Sequence, residues 1–164
     1  MKHCQATEAK ALEIAKLVSQ KFAVDLNLIH LGALLHDIGR ASCHDVTHGY
    51  VGGQLLKQNG YPLALVKIVE RHVLGGFTAK QAYQVGLPKR TFVPSSWEEK
   101  IVCVADKLGL YRWSEIDQPN KWLTKMDARI ANLQKRYDLR APFKASIERA
   151  RRFTKTLANI ALSV

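Results

Sequence analysis

The run Leu34-Leu35-His36-Asp37-Ile38-Gly39-Arg40 places a carboxylate one residue after an apolar stretch, where burial is costly unless the charge is paired or binds a metal. Asp37 also falls near the end of its predicted helix, where the macrodipole opposes a negative charge by a few tenths to about one kcal/mol. Asp106 repeats the pattern after Ile101-Val102-Cys103-Val104-Ala105, with Lys107 beside it as a weak local counter-charge. A cation held between helices would satisfy both carboxylates. Four histidines are placed to join them. His36 precedes Asp37, His48 opens a predicted helix, His72 closes another, and His3 lies at the start of the first. A helix N-terminus favours the neutral form of His48, the form a metal needs, whereas a C-terminal position is expected to hold His72 protonated. Imidazole and carboxylate without a Cys-x-x-Cys pair suit Fe, Mn, Co, Ni or Zn and leave positions open for water, as a hydrolytic metal requires. By themselves His36 and Asp37 read equally well as a satisfied core pair. With His48, His72 and Asp106 following in order, a bound metal is the reading that uses them all.

These residues need helices to carry them, and the periodicity is helical almost throughout. Residues 5 to 22 align Ala11, Ile14, Ala15, Val18 and Phe22 on one stripe. Asp25 can cap a second helix that is apolar nearly all round and stops near Gly39, which predicts the buried centre of the domain. Thr47 can cap a third helix ending at Gly60, and Pro62 begins a fourth reaching His72. Thr78 to Val85 reads as a short helix. Ser95 and Ser96, with Glu98 and Glu99, offer two registers of a capping box ahead of the Ile101–Asp106 segment. Two further helices span roughly Asn120 to Tyr137 and Pro142 to Leu162. No alternating strand pattern or internal repeat is present. The prediction is one all-α domain over residues 1–164, a bundle of about seven or eight helices.

With 47% hydrophobic and 24% charged residues, a disordered chain is excluded, and the apolar runs are too short for the roughly 20 residues of a bilayer span. An N-terminus interrupted by Glu8 and Glu13 lacks the plan of a secretory signal, and three cysteines without a paired motif predict reduced thiols and a cytoplasmic location. The net charge is +11, of which residues 112–164 carry +7 from 12 basic and 5 acidic side chains. Such asymmetry fits an anionic partner and fits a solvated helix face equally well. The amphipathic tail either buries itself against the rest of the chain or forms a dimer.

The Leu34–Arg40 run resembles the signature of the HD-domain metal-dependent phosphohydrolases. His3, His48-Gly49-x-x-Gly52, Glu70-Arg71-His72 with Gly75, and Glu99-Lys100-Ile101-Val102-x-x-Ala105-Asp106-Lys107 follow the order used by that family. The similarity covers His3 to about Arg112 and is nearest the small single-domain members; it extends to the HD-type symmetrical dinucleoside tetraphosphatases. The resemblance implies a helical HD fold, with residues 1–112 as the metal-binding core and residues 113–164 as a basic C-terminal helical cap. It implies that His3, His36, Asp37 and Asp106 bind a first divalent transition metal, and that Asp37 bridges to a second held by His48 and His72. A metal-activated water would then cleave a phosphate ester or phosphoanhydride of a small, nucleotide-like substrate. Arg40, Lys107 and Arg112 would neutralise its phosphates.

His3 lies where a terminus frays, which predicts weak binding of the first metal. His30 is expected in the core or behind the ligands, His44 and Asp45 at the substrate or in solvent, and Tyr111, Trp113 and Trp122 in the core or against a base. Two other classes remain: a nucleic-acid-binding protein using the basic tail, and a regulatory HD domain that binds metal without chemistry. Complete metal ligation argues against the latter.

Overall fold

The computed structural model describes residues 2–109, 118–135, 137–138 and 141–164. Eight α-helices follow one another among these residues, with no strand: α1 (Lys2–Val18), α2 (Leu26–Leu35), α3 (His48–Gln58), α4 (Leu63–Arg71), α5 (Ala79–Gln84), α6 (Trp97–Leu108), α7 (Trp122–Gln134) and α8 (Phe143–Leu162). Short 3₁₀ turns at Ile38–Ala41 and Pro119–Lys121 precede α3 and α7. None of these helices is long and apolar enough to cross a membrane.

Local chemistry sets most boundaries. Asp25 caps α2 by accepting a hydrogen bond from the Leu28 amide at 2.9 Å. Thr78 and Gln81 form a reciprocal capping box on α5. Ser96, rather than Ser95, caps α6, and the Glu99 side chain reaches back to the Ser95 amide and to Arg71. Thr47 stands before α3 without capping it, because its amide and hydroxyl both donate to Asp45. The first helix ends at Val18, short of the predicted stripe, and Phe22 is left 38% exposed.

The buried centre differs from expectation. Leu26 and Leu31 on α2 are 42% and 43% exposed, and Ile29, Gly32 and Ala33 are the buried residues of that helix. The centre is α6, whose residues Ile101 to Ala105 are wholly buried because α1, α2, α4, α7 and α8 all pack around it. Neighbours from distant sequence, not apolar content, decide which helix lies inside. One continuous apolar cluster runs from Ala11 on α1 through Ile68 on α4 and Trp122 on α7 to Ala161 on α8. The C-terminal helix therefore buries its apolar face against its own chain. Ser146 and Arg149 pin it to the loop after α4. Ser146 Oγ accepts from the Gly75 amide at 3.0 Å and donates to the Gly76 carbonyl at 2.6 Å, while Arg149 donates to the carbonyls of Gly75 and Gly76.

Helix α2 stops at Leu35, before the predicted Gly39, and the chain turns tightly through Ile38–Ala41 against α3. A Cβ on Gly39 would collide with the His48 carbonyl oxygen and the Gly52 amide, so only glycine permits this approach. That contact sets His48 beside Asp37.

Candidate metal centre

His3, His36, Asp37, His48, His72 and Asp106 converge from α1, the end of α2, the start of α3, the end of α4 and α6. Three of the rings are held by one local device. His36 Nδ1 donates to the Ala33 carbonyl at 2.7 Å, His48 Nδ1 to the Asp45 carbonyl at 2.6 Å, and His72 Nδ1 to the Val69 carbonyl at 2.7 Å. A carbonyl can only accept, so each Nδ1 carries hydrogen and, in the neutral ring, the lone pair sits on Nε2. Those Nε2 atoms face one another: His48 and His72 at 3.0 Å, His36 and His3 at 3.2 Å. Lone pairs gathered this closely repel unless a cation lies among them, and backbone-anchored imidazoles are the usual support of metal ligands. The buried Nδ1 of His3 lacks a hydrogen-bond partner, a further sign that this ring is positioned by what its Nε2 binds.

The carboxylates complete two groups. Asp37 Oδ1 lies 3.2 Å from His48 Nε2 and 3.5 Å from His72 Nε2, whereas its Oδ2 lies 3.7 Å from His36 and 3.8 Å from His3. Asp106 Oδ1 is 2.9 Å from His3 Nε2 and 3.5 Å from His36 Nε2. One oxygen of Asp37 thus addresses each histidine pair. The donor set of imidazole nitrogens and carboxylate oxygens fits a divalent transition metal. His3 sits in the first turn of α1 with its side chain 29% exposed and its Nε2 at Asp106.

Electrostatics follow from burial and these contacts. Burial alone would raise the Asp37 carboxyl, but its close contacts with the His48 and His72 rings and the charge of His36 outweigh it and hold the group well below the usual carboxylate range. Burial likewise opposes ionisation of Asp106, and the Lys107 ammonium and hydrogen bonds from His3 and His36 reverse it. His72 contradicts the expectation of a protonated ring. Its burial overrides the helix C-terminus and lowers it to about 4. For His36, burial favours the neutral form, but the hydrogen bond and charge of Asp106, with the charge of Asp37, raise it above its ordinary value.

Opposite shifts make the stability of the metal-free chain peak near pH 6.5. The share contributed by His72 is complete above its unfolded value of 6.5 and is lost as pH falls from 6.5 toward 4, on the order of 3 kcal/mol. Asp37 and Asp106, both lowered, add to the loss below about pH 3.8. The share from His36 is complete below 6.5 and is lost as pH rises through its raised folded value. Urea midpoints of chelator-treated protein from pH 4 to 9 check this, and a midpoint climbing steadily across that range contradicts it.

The cations around the centre are arranged differently from the sequence reading. Lys107, expected to neutralise substrate phosphates, is 4% exposed, and its Nζ donates to Asp106 Oδ2 at 2.9 Å and to the His72 carbonyl. It braces two members of the cluster rather than reaching out. Arg40 lies 43% exposed at the cleft and donates through Nε to Asp37 Oδ1 at 2.7 Å. Arg112, Tyr111 and Trp113 fall outside the described residues. Trp122 is fully buried and cannot stack on a ligand. His30 pairs with Glu8 at 3.0 Å with its side chain 45% exposed, away from the cluster, so it is neither a core residue nor a support for the ligands. His44 and Asp45 line the cleft, and the carbonyl of Asp45 anchors His48.

The cluster opens into a cleft of about 660 Å³. Its far wall was not anticipated: Arg129, Leu133 and Tyr137 of α7 and the residues just after it, and Phe143 of α8. The signal was present in the spacing. Trp122, Met126 and Ile130 form the buried stripe of α7, and the i, i+4, i+8 series Arg129, Leu133, Tyr137 lies beside it.

Residues 1–110 match the HD domain family. The chain is 42% identical over 109 residues to an uncharacterized protein of Methanocaldococcus jannaschii, covering 66% of this chain and 64% of that protein. It is 42% identical over 96 residues to the tRNA (cytidine(56)-2′-O)-methyltransferase of Thermoplasma volcanium, covering 58% of this chain and 28% of the relative. It is 34% identical over 62 residues to Ribonuclease Y of Petrotoga mobilis, covering 37% of this chain and 12% of that protein. The chain thus spans less than two thirds of the length of these curated relatives. The family match takes in two thirds of the chain and every residue of the His and Asp cluster, and on that ground the chain belongs to the HD domain family.

Proposed function

We propose that this chain is a metal-dependent phosphohydrolase that cleaves a phosphate ester or phosphoanhydride of a nucleotide-like substrate. The observation that carries the reading is the convergence of Nε2 lone pairs and two carboxylates at a cleft that also holds basic side chains. His3, His36, Asp37 and Asp106 would hold one divalent ion, and Asp37, His48 and His72 a second. Ions bound there supply Lewis-acid polarisation of a phosphoryl oxygen and an activated water. The protein contributes fixed geometry. Three backbone-anchored rings keep their lone pairs aimed inward, Lys107 holds Asp106 ionised in its buried setting, and Arg40 stands at the mouth to meet a substrate phosphate. In this reading residues 1–112 are the reacting core, Arg112 adds a further phosphate contact, and residues 113–164 form the cap. Dinucleoside tetraphosphates belong among the candidate substrates through the sequence resemblance.

Protein purified without chelator is expected to carry Fe, Mn, Co, Ni or Zn at one or two ions per chain by inductively coupled plasma mass spectrometry. It is further expected to release phosphate or a nucleotide from a panel of mononucleotides, cyclic dinucleotides and dinucleoside polyphosphates. Metal-loaded protein that turns over none of them overturns the reading.

A second reading is a nucleic-acid-acting or regulatory HD protein. It is supported by the +7 carried by residues 112–164 and by relatives named for RNA modification and RNA cleavage. Its mark is RNA binding whose affinity falls steeply with salt, and a flat salt response removes it.

A further inference from the structure

The cap wall of the cleft raises a question that metal ligation leaves open, namely what part of a substrate it touches. Among the described residues from 118 onward, Arg129 is the basic residue that lines the cleft. It is half-buried, and no described carboxylate pairs with it, whereas Arg149 is committed to the Gly75 and Gly76 carbonyls and Arg151 to Asp127. A guanidinium facing a cleft with no counter-ion among the described residues is suited to an anionic ligand, since its planar fork matches phosphate oxygens. One turn further along α7 comes Leu133, and beyond the helix end Tyr137 is 59% exposed yet lines the cleft. Phe143 closes the wall and is itself fixed edge-on against buried Phe77, with ring centroids 6.1 Å apart at 80°. The wall therefore holds cationic Arg129, apolar Leu133 and aromatic Tyr137 and Phe143, with the carboxylate of Asp138 beside them. A cleft of about 660 Å³ is the size of a small-molecule site, roughly 300–1,000 Å³.

We propose that Arg129, Leu133, Tyr137 and Phe143 form a specificity subsite in which Arg129 binds a substrate phosphate and the aromatic wall takes a flat heterocyclic group. The substrate is then a phosphate compound bearing such a ring, not a bare sugar phosphate. This assignment rests on the reading of the centre as one that processes phosphate, and it gives the cap a task the metal-binding core does not perform. The residues lie beyond the family match at residue 110, so they are free to set what this chain selects.

The test is equilibrium titration of the metal-containing full chain with two probes that hydrolysis cannot consume: methylphosphonate, which offers the anion alone, and a phosphonate analogue of adenosine 5′-phosphate. The nucleotide analogue is expected to bind at least about ten-fold tighter, the increment of one stacked base. Arg129→Ala is expected to weaken both probes about ten-fold, the loss of one charge-assisted contact to phosphate. Tyr137→Ala is expected to weaken the analogue several-fold and leave methylphosphonate unchanged. Both side chains lie outside the buried core, so unchanged metal content and melting temperature serve as the control on folding. Wild-type affinities in Arg129→Ala, or equal affinity of the wild type for the two probes, overturn the subsite even if the enzyme hydrolyses phosphate compounds. The expected binding pattern in a chain that hydrolyses none of them upholds the subsite and overturns the proposed reaction instead.

Discussion

Asp37→Asn is expected to lower kcat/KM by about a thousand-fold or more, roughly 4 kcal/mol of transition-state stabilisation, and to strip metal from the purified protein. The size of the effect follows from position. Asp37 alone presents an oxygen to each of the two histidine pairs, 3.2 Å from His48 on one side and 3.7 Å from His36 on the other. An amide keeps the shape and removes the charge that both groups require, so loss of one side chain weakens both candidate ion positions together. The fold is expected to survive, because Asp37 belongs to none of the apolar clusters that hold the helices together. Metal content and turnover are measured side by side on protein whose cooperative unfolding is intact. A variant that keeps its metal and its rate would remove Asp37 from the centre.

The second large effect is structural and lies two residues away. Gly39→Ala should destabilise the chain by about 3 kcal/mol or more, because the added methyl meets the backbone of α3 rather than a side chain that could rotate away. In urea this is a midpoint lowered by about 1–2 M for a domain of ordinary cooperativity. The same collision pushes α3 off the Ile38–Ala41 turn and carries His48 away from Asp37, so the folded fraction should also bind metal more weakly. A midpoint within about 0.5 M of wild type, with normal metal content, would show that the turn and α3 separate easily.

The two variants probe one design from both ends. Asp37 is the hub of the proposed centre, and Gly39 is the contact that lets the start of α3 reach it. Lys107 connects the hub to the interior: its ammonium sits between Asp106 and the His72 carbonyl, where burial would otherwise cost the carboxylate its charge.

What the sequence determined by itself was whatever rests on short-range rules. A carboxylate closing an apolar run is anomalous wherever the chain goes, so Asp106, and Asp37 with His36 before it, stood out. The caps at Asp25, Thr78 and Ser96 are hydrogen bonds across three residues, and the Nδ1 anchors of His36, His48 and His72 are equally local, each reaching a carbonyl three positions back. The helical class followed from these and from periodicity.

Only the tertiary structure decided the rest. It made α6 rather than α2 the buried centre, because that depends on which helices pack around each. It set His72 neutral by enclosing it, against the sign of its own helix end, since desolvation is imposed by neighbours remote in sequence. It drew Lys107 inward, and it gave Arg129 and Tyr137 a shared cleft with the His and Asp cluster by folding α7 and α8 back onto the core. Local hydrogen bonds are encoded within a few residues, whereas burial, field and cleft shape arise only once distant segments meet.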